Sequence, residues 1–372
     1  MRLEAHRQAL YELRFSPMCK PAAEVANLTQ LESHTVRART MMMWRIAEGI
    51  LDWGSREAEL IYESTLDSIS AAFDVFHYPI HQYMLDARAD IWDVGLAPEP
   101  VKQAVDTSAA QEADVAPQAE TLLLAGEIAQ LGDRALLAPM ESAIRAAGIE
   151  SVTWVAPTGA LAYTLGARDV AKAQVEKVAA GIRTGGARTV IADGAETAWA
   201  LTKVYPALGV ALPAGVAVRL LSETLAELTP PKADLGKVFV HDSRPAYLIA
   251  TEEPSYTAIL PGYTENESAF GGGAVYEAPR RLLDRLGAQR VHGAWTRALA
   301  RSSGADDGLW LTHPDLAAGL ANQRLDYAEY LGAGTLVTES PLAAAYLKKQ
   351  ASGRELGVRL LAELLAQGGH SR

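Results

Sequence analysis

The chain has 372 residues, 49% of them hydrophobic, and its 45 acidic against 34 basic side chains give a formal net charge of −11. That balance argues against a nucleic-acid partner, which needs a local excess of Lys and Arg to displace counterions, and no apolar run approaches the roughly 20 residues of a membrane span. The first ten residues lack the apolar core of a signal peptide, so the expected location is the cytoplasm, and the single cysteine, Cys19, excludes an internal disulfide or a Cys-rich metal site built by this chain alone.

Residues 1–100 carry helical patterning and few strand signals. Within them residues 32–51 (ESHTVRARTMMMWRIAEGIL) read as a helix with Ser33 or Thr35 as N-cap. Residues 99–120, rich in Ala, Pro and acids, read as a surface linker, and a domain boundary is placed at 101–120. From 121 the pattern changes to short apolar or β-branched runs alternating with helices, the signature of an α/β layer with a mostly parallel sheet. Strands are expected at 121–125, 151–155 and 189–192, with helices at about 135–147 and after Asp169. Thr229-Pro230-Pro231-Lys232 closes this unit at about 235. A second unit, 236–350, repeats the scheme with strands at 238–240, 290–291 and 335–337 and helices near Ala278-Pro279 and after Pro314. Residues 354–367 read as an amphipathic helix within a tail of 351–372.

The two α/β units are versions of one another. Residues 158–201 and 303–347 each begin with a hydroxyl residue and glycine (Thr158-Gly159, Ser303-Gly304) and pass through a helical run to Gly-Ala (Gly186-Ala187, Gly332-Ala333). Each then enters a β-branched strand and ends in an acidic turn that opens another helix. Such self-similarity marks a duplicated unit, and the junction of the halves is the natural place for a site.

These residues resemble a known family. His241-Asp242-Ser243-Arg244, Val275-Tyr276-Glu277-Ala278-Pro279-Arg280, Ser302-Ser303-Gly304 and Thr338-Glu339-Ser340-Pro341-Leu342-Ala343 are similar to the HDPC, VYDAPR, CCG and TACPxC motifs of the cysteine-rich CCG domain. That domain occurs in heterodisulfide reductase and in the iron-sulfur subunits of glycolate oxidase and anaerobic glycerol-3-phosphate dehydrogenase. Pro157-Thr158-Gly159 and Asp193-Gly194-Ala195-Glu196 are fainter counterparts in the first unit. The N-terminal region resembles the family's helical ferredoxin-like domain. Its first CxxCxxCxxxC run would fall on Leu13, Ser16, Cys19 and Ala23, and its second on Ser64, Asp67, Ser70 and Asp74, with residues 32–39 resembling ESxxPRGR.

The resemblance implies a helical ferredoxin-like domain followed by two CCG-type α/β domains, with 4Fe-4S clusters in the first and non-cubane clusters in the others. The ligands are missing. Thr158, Asp193, Glu196, Arg244, Ser302, Ser303, Ser340 and Ala343 stand where the CCG thiolates would be, and iron-sulfur clusters need such soft anionic donors. No cofactor is expected, although the four oxygen-bearing side chains of the second ferredoxin-like run would suit a hard cation better than iron sulfide. Arg244 is expected to pair with an acid, and Asp193 and Glu196 to form a small polar pocket with Ser302, Ser303 and Ser340 across the interface.

Other signals are weaker. His77 and His81 have HxxxH spacing, but Pro79 breaks the helix that would align them. Gly271-Gly272-Gly273 reads as a tight turn rather than an anion loop, since the Walker lysine is missing. Cys19, beside Lys20, is a surviving ligand position or a reactive thiol. Two functional expectations follow. One is a non-catalytic docking subunit for a flavoprotein dehydrogenase or another iron-sulfur protein. The other is a cluster-free enzyme or small-molecule binding protein that uses the pocket between the repeats.

Overall fold

The computed structural model describes residues 1–16, 19–73, 78–250 and 273–367. Helices fill the N-terminal region, and two four-stranded parallel sheets follow. The first, ordered β2-β1-β3-β4, contains β1 (Thr121–Ala125), β2 (Val152–Val155), β3 (Thr189–Ala192) and β4 (Ala217–Leu220). The second, β6-β5-β7-β8, contains β5 (Lys237–His241), β6 (Gln289–Arg290), β7 (Thr335–Thr338) and β8 (Gly357–Leu360). The duplication read from the sequence is therefore one of topology.

Parallel pairing requires a crossover, and the long helices Arg168–Gly185 and Pro314–Tyr330 supply it between β2 and β3 and between β6 and β7. Helices covering both sheet faces explain why the central strands are continuous apolar runs, with Leu122, Leu123, Leu124, Phe239 and Leu336 fully buried. The hydroxyl-glycine pairs serve one purpose in both units. Gly159 and Gly304 each have φ of +81°, and a Cβ there would run into the backbone carbonyl of Ala171 or Ala317 on the crossover helix. Only glycine permits both the left-handed turn and that close approach.

One apolar core joins the N-terminal helices to the first sheet, through residues such as Met84, Leu85, Leu122, Trp154 and Ile182. A second core lies between the units, where Leu123, Ile128 and Ile191 meet Val238, Leu282, Val337 and Leu361. The exchange is reciprocal. The short helix after β4 (Leu221–Thr224) packs on the second unit's Ala274–Leu286, and the helix after β8 (Leu361–Gln367) packs on the first unit's Leu137–Ala146. Leu361, Leu364 and Leu365 are all buried there, at about 1.5–3 kcal/mol each.

Thr35 caps the helix Val36–Ala47 by accepting from the Ala38 N–H, as expected. Two expectations are corrected. Residues 99–110 are not linker: Glu99–Ala110 is a helix whose Val101, Ala104, Val105 and Ser108 are buried, so the irregular connection is only 111–120. Residues 354–367 are not one helix either. Gly357–Leu360 is strand β8, which completes the second sheet, so that unit continues past 350 and helix begins only at Leu361.

Candidate functional site

In open α/β sheets, sites form at the carboxyl ends of the strands, and here those ends carry acids that reach into the neighbouring unit. Glu127, two residues beyond β1, is buried. Its Oε1 accepts from the Glu196 N–H at 3.1 Å, and its Oε2 accepts from Ser340 Oγ at 2.5 Å and the Leu342 N–H at 3.3 Å. A Cβ at Gly194 would collide with this carboxylate, so the glycine makes room for it. Glu339, directly after β7, makes the return crossing. Its two oxygens accept from the Ser222 N–H at 2.6 Å and Ser222 Oγ at 2.8 Å.

Asp193, directly after β3, caps the turn of its own unit: it accepts from the Ile128 N–H at 3.0 Å and from Thr197 Oγ1 at 2.6 Å. Glu196 accepts from Gln130 Nε2. Thr158 is buried against Gly126. Ser340 caps Pro341–Gln350, accepting from the N–H of buried Ala343 at 3.1 Å while its hydroxyl donates to Glu127.

The second unit's Ser302 and Ser303 fold around Asp306, whose Oδ2 accepts from Ser302 Oγ at 2.7 Å, the Ser303 N–H at 2.9 Å and Ser303 Oγ at 3.2 Å. The Ser302 N–H donates to Glu24 of the N-terminal helices at 2.7 Å, and Glu24 also accepts from Thr65 Oγ1 at 3.2 Å. Arg244 pairs with Asp307, an acid as expected from the sequence. Arg88 donates to the carbonyls of Ser64, Thr164 and Asp307, linking all three regions. Asp242 is gripped by both Arg280 nitrogens at 2.7 Å and by the Arg297 N–H at 2.7 Å.

Burial sets the electrostatics. It pushes Glu24, Glu196, Asp307 and Glu339 each up to about 7 and Asp193 to about 6. Glu127 is raised well above the usual carboxylate range by burial and then by Asp193 and Glu196 beside it. Asp242 goes the other way: burial opposes its charge, but the Arg280 guanidinium and Arg297 together outweigh it and hold the carboxyl low. The ensemble is a set of hard oxygen donors tied up in mutual hydrogen bonds, suited to holding protons and positioning backbone.

The sequence-predicted positions separate into groups. Asp193, Glu196 and Ser340 come together through Glu127. Ser302 and Ser303 are drawn to Asp306 instead, so the single expected pocket is two adjoining networks. In the N-terminal region Leu13 and Ala23 are core residues and Ser16 is half-buried. Ser64 Oγ donates to the Ile61 carbonyl at 2.7 Å, and Asp67 forms a buried 3.1 Å pair with Arg39. Ser70 is buried. Those uses replace the hard-cation reading of Ser64 and Asp67. Cys19 opens the helix Cys19–Ala22, and Asp74, His77, Gly271 and Gly272 lie outside the described residues. His81 stands in the first turn of Ile80–Asp93, where burial lowers its pKa to about 4.

Glu127, Glu24, Asp306 and Asp307 were missed by motif reasoning because none occupies a ligand position. A cavity of about 20 Å³ lies at the ends of β5 and β7, lined by His241, Asp242, Thr338 and Glu339 among others. No protein-family profile and no curated protein matches the chain. Among solved structures it is similar to a crystal structure of a hypothetical protein from Helicobacter pylori, with a TM-score of 0.58 and 12% identity over 90% of this chain and 67% of that one. At that identity the likeness establishes a mixed α/β fold. Among the described residues no helix is long and apolar enough to cross a membrane.

Proposed function

We propose that this chain is a cluster-less relative of the iron-sulfur subunits of heterodisulfide reductase and glycolate oxidase, acting as a non-catalytic docking subunit of a flavin-dependent oxidoreductase complex. The observation that carries this reading is Glu127, whose carboxylate crosses from the first unit to Ser340 and Leu342 of the second. It fastens the units to each other at a strand end where the resembling family places thiolates. Asp193, Glu196, Ser302, Ser303 and Arg244 are spent in the same way, on protein partners. A scaffold kept in three parts, with hydrogen bonds in place of cluster ligands, has its shape and surface left to act with. The N-terminal helices stand in for the helical ferredoxin-like domain in this reading.

The test is anaerobic affinity capture of the tagged chain from its own cell, with quantitative mass spectrometry after a salt wash. A flavoprotein or iron-sulfur protein in stoichiometric amount supports the docking role; a chain that is recovered alone counts against it. The small-molecule reading has less to stand on. The strand-end cavity has room for about one water and Asp193 and Arg244 are already engaged, so a ligand would need the cavity of about 210 Å³ between Leu220 of the first unit and Ala274 of the second. Ligand-induced thermal stabilisation that disappears in Asp193→Ala or Arg244→Ala would favour it.

A further inference from the structure

Away from the strand ends, side chains from two regions distant in sequence converge with metal-binding chemistry. Glu59 lies on the helix Ser55–Tyr62, and Glu63 follows as its C-cap. They sit one turn apart on one face, where two carboxylates repel. His313, the N-cap of Pro314–Tyr330 in the second α/β unit, places Nε2 3.1 Å from Glu59 Oε1. One donor atom from each of Glu59, Glu63 and His313 lies within 4.8 Å of the others. We propose that Glu59, Glu63 and His313 form a divalent transition-metal site, for zinc, that ties the N-terminal helices to the second α/β unit.

Two features distinguish the cluster from a chance meeting of surface charges. Each end of it is oriented from behind. His313 Nδ1 is 3.0 Å from Thr312 Oγ1, which turns Nε2 toward the carboxylates. Glu63 Oε2 is held at 2.8 Å by His34 Nε2, and that buried ring is fixed in turn by Thr29 Oγ1 at 2.7 Å from Nδ1. Such outer partners are what metal ligands use to set tautomer and direction. The site is also partly shielded, all three residues being half-buried. Zinc bonds of about 2.0–2.2 Å require the donors to close to roughly 3.5 Å apart, a small rotamer adjustment.

The donor set selects the ion. An imidazole with two carboxylates favours zinc over magnesium or calcium, which prefer all-oxygen shells. Three protein ligands leave a position for water. Arg56 Nη1, 3.3 Å from Glu63 Oε2, would have to swing aside, and its side chain is the exposed member of that pair.

The experiment is a zinc titration of untagged, chelator-stripped chain by calorimetry, with metal analysis after desalting. One equivalent should bind with Kd at or below about 10 μM and raise Tm. Glu59→Gln and His313→Asn should each weaken binding tenfold or more. His34→Gln should weaken it about tenfold through orientation alone, whereas Glu227→Gln, at an exposed position elsewhere, should leave it unchanged. Cobalt in place of zinc should give visible d–d bands that change in His313→Asn. Absence of saturable binding, unchanged binding in the Glu59→Gln/His313→Asn double variant, or equal response to magnesium or calcium would overturn the proposal.

Discussion

Replacing Glu127 with alanine removes the acceptor for three donors at once: the Glu196 N–H, Ser340 Oγ and the Leu342 N–H. Each donor left unpaired in a buried site costs about 1–3 kcal/mol. Two effects offset part of this. The truncation opens space that water can enter, and it removes a carboxyl pushed toward its neutral form by burial and then by Asp193 and Glu196. The net expectation is a loss of about 2–4 kcal/mol. Glu127→Gln keeps one acceptor but turns an amide N–H₂ toward donors, so it should fall between wild type and alanine. Urea unfolding followed by tryptophan fluorescence reads both. Because the contact joins the units, Glu127→Ala should also separate their unfolding transitions. A stability within 0.5 kcal/mol of wild type, roughly the level of an ordinary surface substitution, would refute the reasoning that this carboxylate fastens the interface.

Other perturbations test other links. Gly304→Ala should cost more than about 2 kcal/mol, since it adds a Cβ against the Ala317 carbonyl to an unfavourable φ, whereas Gly186→Ala, with φ of +72° and open space around it, should cost about 1 kcal/mol in the same denaturation assay. Arg39→Met strips Asp67 of its buried partner and leaves the His34 and Leu60 carbonyls without their donor; a loss of about 3–5 kcal/mol is expected by calorimetry. Stability should also fall between pH 6.5 and 8.5. Glu24, Glu196, Asp307 and Glu339, raised to about 7 by burial, contribute stability that is full below the unfolded carboxylate value and is lost as pH rises through about 7. His81 and His241, lowered to about 4 and about 3, push the other way only up to the unfolded histidine value near 6.5. A drop on the order of 2 kcal/mol is expected, and a Tm that climbs over this range would contradict the burial argument.

The central strands were legible because both faces of a parallel sheet are covered, which turns Leu122–Leu124 and Leu336–Val337 into unbroken apolar runs. The outer strands β4 and β8 were not, being four residues each with an exposed arginine, Arg219 or Arg359, in the middle. A signal was available. Val218-Arg219-Leu220-Leu221-Ser222-Glu223 and Val358-Arg359-Leu360-Leu361-Ala362-Glu363 are the same strand-to-helix turn, and in both the glutamate accepts from the leucine N–H three residues earlier, at 2.9 and 3.0 Å. The helix Glu99–Ala110 escaped because its buried face is narrow, two valines, Val101 and Val105, alternating with the small Ala104 and Ser108. At the site, counterparts of the motif positions could be read one by one, but Glu127 could not. Its partners Ser340 and Leu342 are more than two hundred residues away, and only folding reveals that an acid beyond β1 belongs to a helix of the other unit.

The most direct measurement of the central claim is anaerobic reconstitution of the purified chain with iron and sulfide, followed by desalting and assay of acid-labile sulfide. Oxygen-based networks offer no soft donors to a cluster, so sulfide should remain at background with no visible charge-transfer absorption. Retention of sulfide and iron in stoichiometric amounts, with that absorption, would contradict the account.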